Sequence, residues 1–223
     1  MACGGKHERA ARARGFQYVA GVDEVGRGAL FGPVYAAAVV LNPDRPIRGL
    51  QDSKELDAER REVLAERIRE RAVCWALGAA DAYEIDRINI LQASRLAMRR
   101  AIEKLAPACD YLLIDAVKVD VPLQQEAIIK GDALCQCIAA ASILAKVARD
   151  ACMRRWDTVF PEFGFARNKG YGTDEHYAAL RSCGPTTLHR FSFEPVRMSC
   201  QLELWSGYDQ ISAVNGAMVN ATA

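Results

Sequence analysis

Asp23 and Glu24 lie side by side at the end of an apolar run, directly ahead of Gly26-Arg27-Gly28, in the stretch GVDEVGRGAL. Two more acids have similar settings: Asp115 closes YLLID, and Asp132 follows Lys130-Gly131 ahead of a small apolar run. A carboxylate at the mouth of a buried strand holds its charge against a low-dielectric core, so it needs a cation or several donors. Four such acids drawn together would repel one another without a cation, and hard oxygen ligands select Mg²⁺ or Mn²⁺ over zinc. Each acid could instead cap a turn or helix alone, and Asp132, just ahead of a helical run, is the fairest case for that. The adjacent pair fits capping less well, because a cap needs one acid. Neighbouring strand residues point to opposite faces. Asp23 and Glu24 are therefore expected to share a site only if the strand ends at Asp23 and the backbone turns at Val25 and Gly26.

Other chemistries find little footing. His7, His176 and His189 form no ligand spacing, and Cys135 and Cys137 lie beside a helix that reads as buried. No phosphate-cradling loop occurs, and Gly-Arg-Gly is too short for a dinucleotide fingerprint. The eight cysteines are spread along the chain without a CxxC, and the first twenty residues lack an apolar signal core, so reduced thiols and a cytoplasmic location are expected. No apolar run reaches the ~18 residues of a membrane span. With 29 basic and 28 acidic side chains the net charge of +1 names no partner. The first fifteen residues carry four Lys/Arg against one acid, a basic arm compatible with nucleic acid and equally with a solvated terminus.

The elements that must carry these residues read as an α/β layer with a mixed sheet. Residues 16–23, 34–41 and 72–80 are short, apolar and bounded by Gly, Pro or charge, so they read as strands, the first two antiparallel across the Gly-rich turn. Residues 57–71 and 88–105 show helical spacing. YLLID and 127–130 are further strands. IAAASILAKV, 138–147, is small and apolar on nearly every face, so it reads as a helix packed inside, close against the sheet. A short helix is expected at 173–181 with Thr173 as its N-cap. The last eighteen residues have no periodicity and read as a loose tail.

The ordered set GVDEVGRGALFGPV, DSKEL, INILQAS, YLLID, KGD with IAAASILAKVARD, KGYGT and HRFSFEPV resembles bacterial ribonuclease HII, the type 2 ribonuclease H family, over about residues 16–196. The resemblance implies a ribonuclease H-like fold, a five-stranded mixed sheet flanked by helices with a small C-terminal helical extension. The chain then divides into a basic arm (1–14), a catalytic domain (15–160), its helical extension (161–205) and a tail (206–223). It also implies metal-dependent hydrolysis of RNA in RNA–DNA hybrids and at single ribonucleotides in duplex DNA. The cut would fall on the 5′ side and leave 3′-hydroxyl and 5′-phosphate ends. Carried over by motif, the metal-binding catalytic acids are Asp23, Glu24, Asp115 and Asp132, the same four that the residues themselves single out.

The resemblance further implies that Gly26, Arg27 and Gly28 approach the ribonucleotide at an RNA–DNA junction and read its 2′-OH, with Tyr171 packing on the next sugar. Glycines suit close backbone approach. Lys54 and Lys169 are candidate phosphate contacts, as is Ser94. Asp150 repeats with Ser142 and Lys146 at helical spacing and is a candidate outer partner of the metals, or simply a partner of Lys146. Ala116 departs from the family's usual glycine, and Cys135 and Cys137 replace small hydroxyl residues. Two other readings stay open: a hybrid-binding protein that does not cut, and a type 3-like enzyme confined to longer hybrids. A monomer is the default.

Overall fold

The structure, a computed structural model, describes residues 3–200. Five strands form one mixed sheet in the order β3-β2-β1-β4-β5. Helix α1 (Lys6–Ala13) precedes β1 (Val19–Val25) and β2 (Val34–Val40); helix α2 (Ala58–Arg71) leads to β3 (Cys74–Ala80), and α3 (Ala82–Glu103) to β4 (Tyr111–Asp115). Then come β5 (Gln124–Ile128), α4 (Gly131–Leu134), the long α5 (Gln136–Val159), α6 (Phe165–Asn168) and α7 (Asp174–Cys183). The first three strands are antiparallel, while β1–β4 and β4–β5 are parallel. This is the expected ribonuclease H-like arrangement. Among the described residues no helix is long and apolar enough to cross a membrane.

The sheet is covered on both faces. Ala20, Val22, Ala36, Ala38, Leu112 and Ile114 pack under α3, while Ala37 and Val39 meet α2 and α5. The alanine run of α5 is buried along Ala139, Ala140 and Ala141, so nothing large separates helix from sheet. At one point backbone meets backbone: a Cβ on Gly21 would fall 2.1 Å from the Cys137 carbonyl carbon. On the opposite face, a Cβ on Gly78 would fall 2.0 Å from the Ala97 carbonyl oxygen of α3.

Several expected boundaries shift. Strand β1 does not end at Asp23; it keeps register with β2 through Val25–Tyr35. Helix α3 starts at Ala82, not near 88, because Asp81 and Glu84 form a capping box. It is interrupted at Asn89 (φ 66), whose side chain accepts from the N–H groups of Leu91 and Gln92 and restarts the helix. Strand β5 begins at Gln124, and α5 runs twelve residues past Val147. Thr173 caps α7, accepting from the His176 N–H. The basic arm folds as α1 and docks: Glu8 is buried and accepts from the Cys137 N–H, and the Cys3 thiol donates to the Asp132 carbonyl at 3.1 Å. Residues 161–200 pack around Phe31, Phe163, Phe165 and Val196. The expected tail, 206–223, lies outside the described residues.

Candidate active site

The last registered pair between the parallel strands β1 and β4 is Val22–Ile114. Asp23 and Asp115 therefore follow at the same level on adjacent strands. Strand β4 stops there while β1 continues, so Glu24 stands at an open sheet edge. This is how two adjacent residues of a regular strand reach one place without the turn that the sequence seemed to require. A cleft of about 360 Å³ is lined by Asp23, Glu24, Asp115, Asp132, Lys54 and Tyr171, with Ser142 and Lys146 of α5 at its back.

Each carboxylate is positioned by a different local device. Asp23 Oδ1 accepts from the Glu24 N–H at 2.8 Å, and Asp115 Oδ1 accepts from the Gly131 N–H at 2.8 Å. Asp132 sits in the first turn of α4, at 3.6 Å from the Lys54 ammonium, which is also 3.9 Å from Asp52. Glu24 Oε1 lies 3.3 Å from Arg27 Nη1, while its Oε2 is buried without a partner.

The electrostatics are those of a site short of positive charge. Burial, then Glu24 and Asp115, push the Asp23 carboxyl well above its usual range. Burial also raises Glu24, against the pull of Arg27, and raises Asp115, with Asp132 adding to it. For Lys54 burial works against the charge, but Asp52, Asp132 and Asp23 outweigh it and its pKa rises. Lys54 does not neutralise four acids, since Arg27 answers only Glu24 and Lys146 is engaged by Asp150. Among the described residues no three His, Cys, Asp or Glu side chains already close on one point. The acids instead surround the cleft with hard oxygen donors, one of them the orphaned Glu24 Oε2, and this donor set fits divalent magnesium or manganese.

The facing wall consists of loops. Ala29 bridges Tyr171 and Phe31 bridges His189, so residues 26–33 are held between two segments distant in sequence. Two buried arginines pin this arrangement. Arg149 of α5 donates to the carbonyls of Pro33 (3.2 Å), Lys169 (2.8 Å) and Phe31 (3.4 Å), and its guanidinium lies over the Tyr171 ring. Arg190 donates to the carbonyls of Gly32 (2.9 Å) and Arg27 (2.8 Å). Burial and then Arg149 lower the Arg190 pKa to about 9. The two glycines differ. Gly26 has φ +92, and a Cβ there would fall 2.1 Å from Arg149 Nε, so the protein's own packing demands glycine. A Cβ on Gly28 would meet only the Tyr171 ring, at 3.9 Å, so its bareness serves no internal contact.

Behind Tyr171 two buried histidines form a chain of hydrogen bonds. The Thr186 N–H donates to His189 Nδ1 at 3.0 Å, which leaves the proton of neutral His189 on Nε2. That nitrogen donates to His176 Nε2 at 3.0 Å, so His176 carries its proton on Nδ1 and donates to the Tyr171 carbonyl at 2.9 Å. Burial, and then His176, lower His189 to about 3, and burial lowers His176.

Three expected contacts stand elsewhere. Lys169 takes φ 55, and its ammonium donates to the Ala166 carbonyl outside the cleft lining. Ser94 is buried in α3 with an unpartnered hydroxyl, which leaves it no surface from which to meet a phosphate. Asp150 does not line the cleft; its Oδ1 accepts from Lys146 at 2.7 Å and so holds that cation beside the acids. Sequence reading missed Arg149, Arg190, His176 and His189. Their only signal was charge or imidazole inside segments otherwise suited to burial.

The Ribonuclease HII family profile matches residues 20–196. A ribonuclease HII of Solibacter usitatus is 64% identical over 202 residues, covering 91% of this chain and 89% of that protein. The solved ribonuclease H2 of Pyrococcus horikoshii superposes with a TM-score of 0.68 at 25% identity, over 82% of this chain and 97% of its own. Bst-RNase HIII in complex with Mn²⁺ shares the fold at 22% identity with a TM-score of 0.65, over 83% of this chain and 70% of its own.

Proposed function

The chain belongs to the ribonuclease HII family and is a ribonuclease H, and we propose that it cuts on the 5′ side of ribonucleotides in RNA–DNA hybrids and in duplex DNA. One observation carries this: four acids and Tyr171 line a single cleft, and the Gly26–Gly28 segment runs on from Glu24 to Ala29, which bridges Tyr171. Asp23, Glu24, Asp115 and Asp132 would hold two divalent ions, Mg²⁺ or Mn²⁺. Such ions would supply there a water of lowered pKa and charge stabilisation at the leaving 3′ oxygen, for a cut with 3′-hydroxyl and 5′-phosphate ends.

The chain's own residues do the rest. Asp23 and Asp115 are fixed by strand register and by backbone N–H groups, so the ligand oxygens are held before substrate arrives. Lys54, at the rim beside Asp132, neutralises a backbone phosphate of the substrate. Arg27 leans on Glu24, and the bare backbone of Gly28 beside Tyr171 is where a 2′-hydroxyl is read. Tyr171 packs against the sugar beyond. Arg149 and the histidine chain orient that ring from behind and touch no substrate. Residues 161–200 belong to a C-terminal helical extension of the same domain, and the enzyme acts as a monomer.

The test is cleavage of a labelled DNA duplex containing one ribonucleotide, beside an all-RNA/DNA hybrid, with Mg²⁺ or Mn²⁺, with EDTA, and with Asp115→Asn. A metal-dependent cut 5′ to the ribonucleotide, lost in the variant, is the expected result. Cutting of the long hybrid alone would replace this reading with a type 3-like specificity, and binding without any cut would replace it with a binding module.

A further inference from the structure

A second groove, about 580 Å³ and larger than the catalytic cleft, lies between α3 and the loop that leaves β4. Gln92, Arg95 and Arg99 line it from one face of the restarted helix, and Lys118 and Asp120 from the loop. Arg99 is engaged by Glu103 at 2.9 Å. Arg95 is not: among the described residues no hydrogen bond or ion pair holds it, and its Nε is screened from solvent without an acceptor. Lys118, exposed at the rim, is likewise free of any partner among the described residues. A guanidinium with a shielded, unanswered donor is an unfavourable arrangement in the free protein. An anion that draws the group outward relieves it.

We propose that this groove binds a backbone phosphate of the nucleic-acid duplex, a second contact outside the catalytic cleft, with Arg95 and Lys118 as its cations. The proposal rests on the nuclease reading above. Two observations favour a polymer's phosphate over a free small anion. Lys118 is three residues past Asp115, so its Cα lies within ~11 Å of the catalytic strand end. A strand advances about 3.4 Å of helix axis per nucleotide, so the rim of the groove is within about three nucleotides of the cut. The groove is also open and carries Asp120 at its edge, which suits a shared, hydrated phosphodiester better than a captured dianion.

The test is equilibrium binding of an RNA–DNA hybrid in EDTA as a function of salt, for the wild-type protein, Arg95→Gln/Lys118→Gln, Lys118→Gln and Asp120→Asn. Each lost phosphate contact lowers the slope of log K against log salt by about 0.9. The double variant is expected to lose about 0.9 in slope and to bind more weakly, and Asp120→Asn to bind more tightly. Lys118 is exposed and unpartnered, so Lys118→Gln tests the idea even if the Arg95 change disturbs folding. Unchanged slopes in both Lys118→Gln and the double variant would overturn the groove. If the wild-type protein neither binds nor cuts the hybrid, the nuclease reading fails instead.

Discussion

Asp23 and Asp115 stand on one wall of the cleft, carried by β1 and β4 in the middle of an apolar sheet. Tyr171 stands on the other, carried by a loop that a single bridge joins to the segment after Gly26 and Gly28. The first wall is held by repetition: strand register sets the level of the acids, and burial of small residues under α3 and α5 sets their depth. The second is held by exceptions, namely two buried guanidinium groups and a pair of imidazoles that satisfy carbonyls no ladder reaches. The acid wall keeps uncompensated charge in burial. The loop wall uses buried polar groups as fasteners. Damage to the first should therefore show in chemistry with the fold intact, and damage to the second in stability and substrate preference together.

The sharpest way to break this contrast is Asp115→Asn, which should lower cleavage about 10²–10³-fold, the scale on which one lost electrostatic group acts. Its melting temperature should stay level or rise, since a repelled carboxylate is gone; a large fall would mean that the acid wall is also structural. Arg149→Met leaves three carbonyls unanswered and should cost about 3 kcal/mol in urea unfolding, with weakened discrimination of single ribonucleotides. The two glycines refine the comparison. Gly26→Ala should destabilise by about 2 kcal/mol, from its positive φ and the collision with Arg149. Gly28→Ala should hold stability within ~0.5 kcal/mol yet slow cleavage at a single ribonucleotide. Equal stability losses would contradict the different roles assigned to them.

Acid titrates the second wall. His189 is held at about 3, below the ~6.5 of an unfolded chain, so the unfolded state takes up the proton first. Stability is full above the unfolded value and falls with pH through the window from 6.5 toward 3, by about 1.4 kcal/mol per unit at most. Denaturation midpoints at pH 7 and pH 5 should show the slope, and His189→Gln should flatten it. The smallest effect is expected at Ala116, which holds φ 55 where glycine would be unstrained. Ala116→Gly should stabilise by no more than ~1 kcal/mol, because relief of the left-handed strain is partly offset by the entropy of a freer unfolded chain.

The same division explains what could be read in advance. The acids were legible because an acid ending a run such as YLLID has few other uses, and the sheet was legible because its strands are short apolar blocks with clear punctuation. Helix α3 was placed late because its start is signalled by Asp81 and Glu84, a capping box, and not by apolar spacing. Helix α1 has no apolar stripe to announce it; Glu8 secures it through a backbone N–H 129 residues away. Arg149 stands at the end of IAAASILAKVARD like any solubilising helix residue, yet it is fully buried. Side chains that bond to distant carbonyls have no local pattern, so the second wall becomes visible only when the chain is folded.

Gly21 and Gly78, where helix backbone rests on strand backbone, fix how thick the molecule is. They act as two stops on opposite sides of one plate, and the catalytic edge inherits its width from them. An engineer wishing to admit a bulkier duplex should therefore leave the cleft residues alone and shim the plate, because one added methyl at Gly21 must lift α5, and Ser142 and Lys146 with it, away from the acids they back.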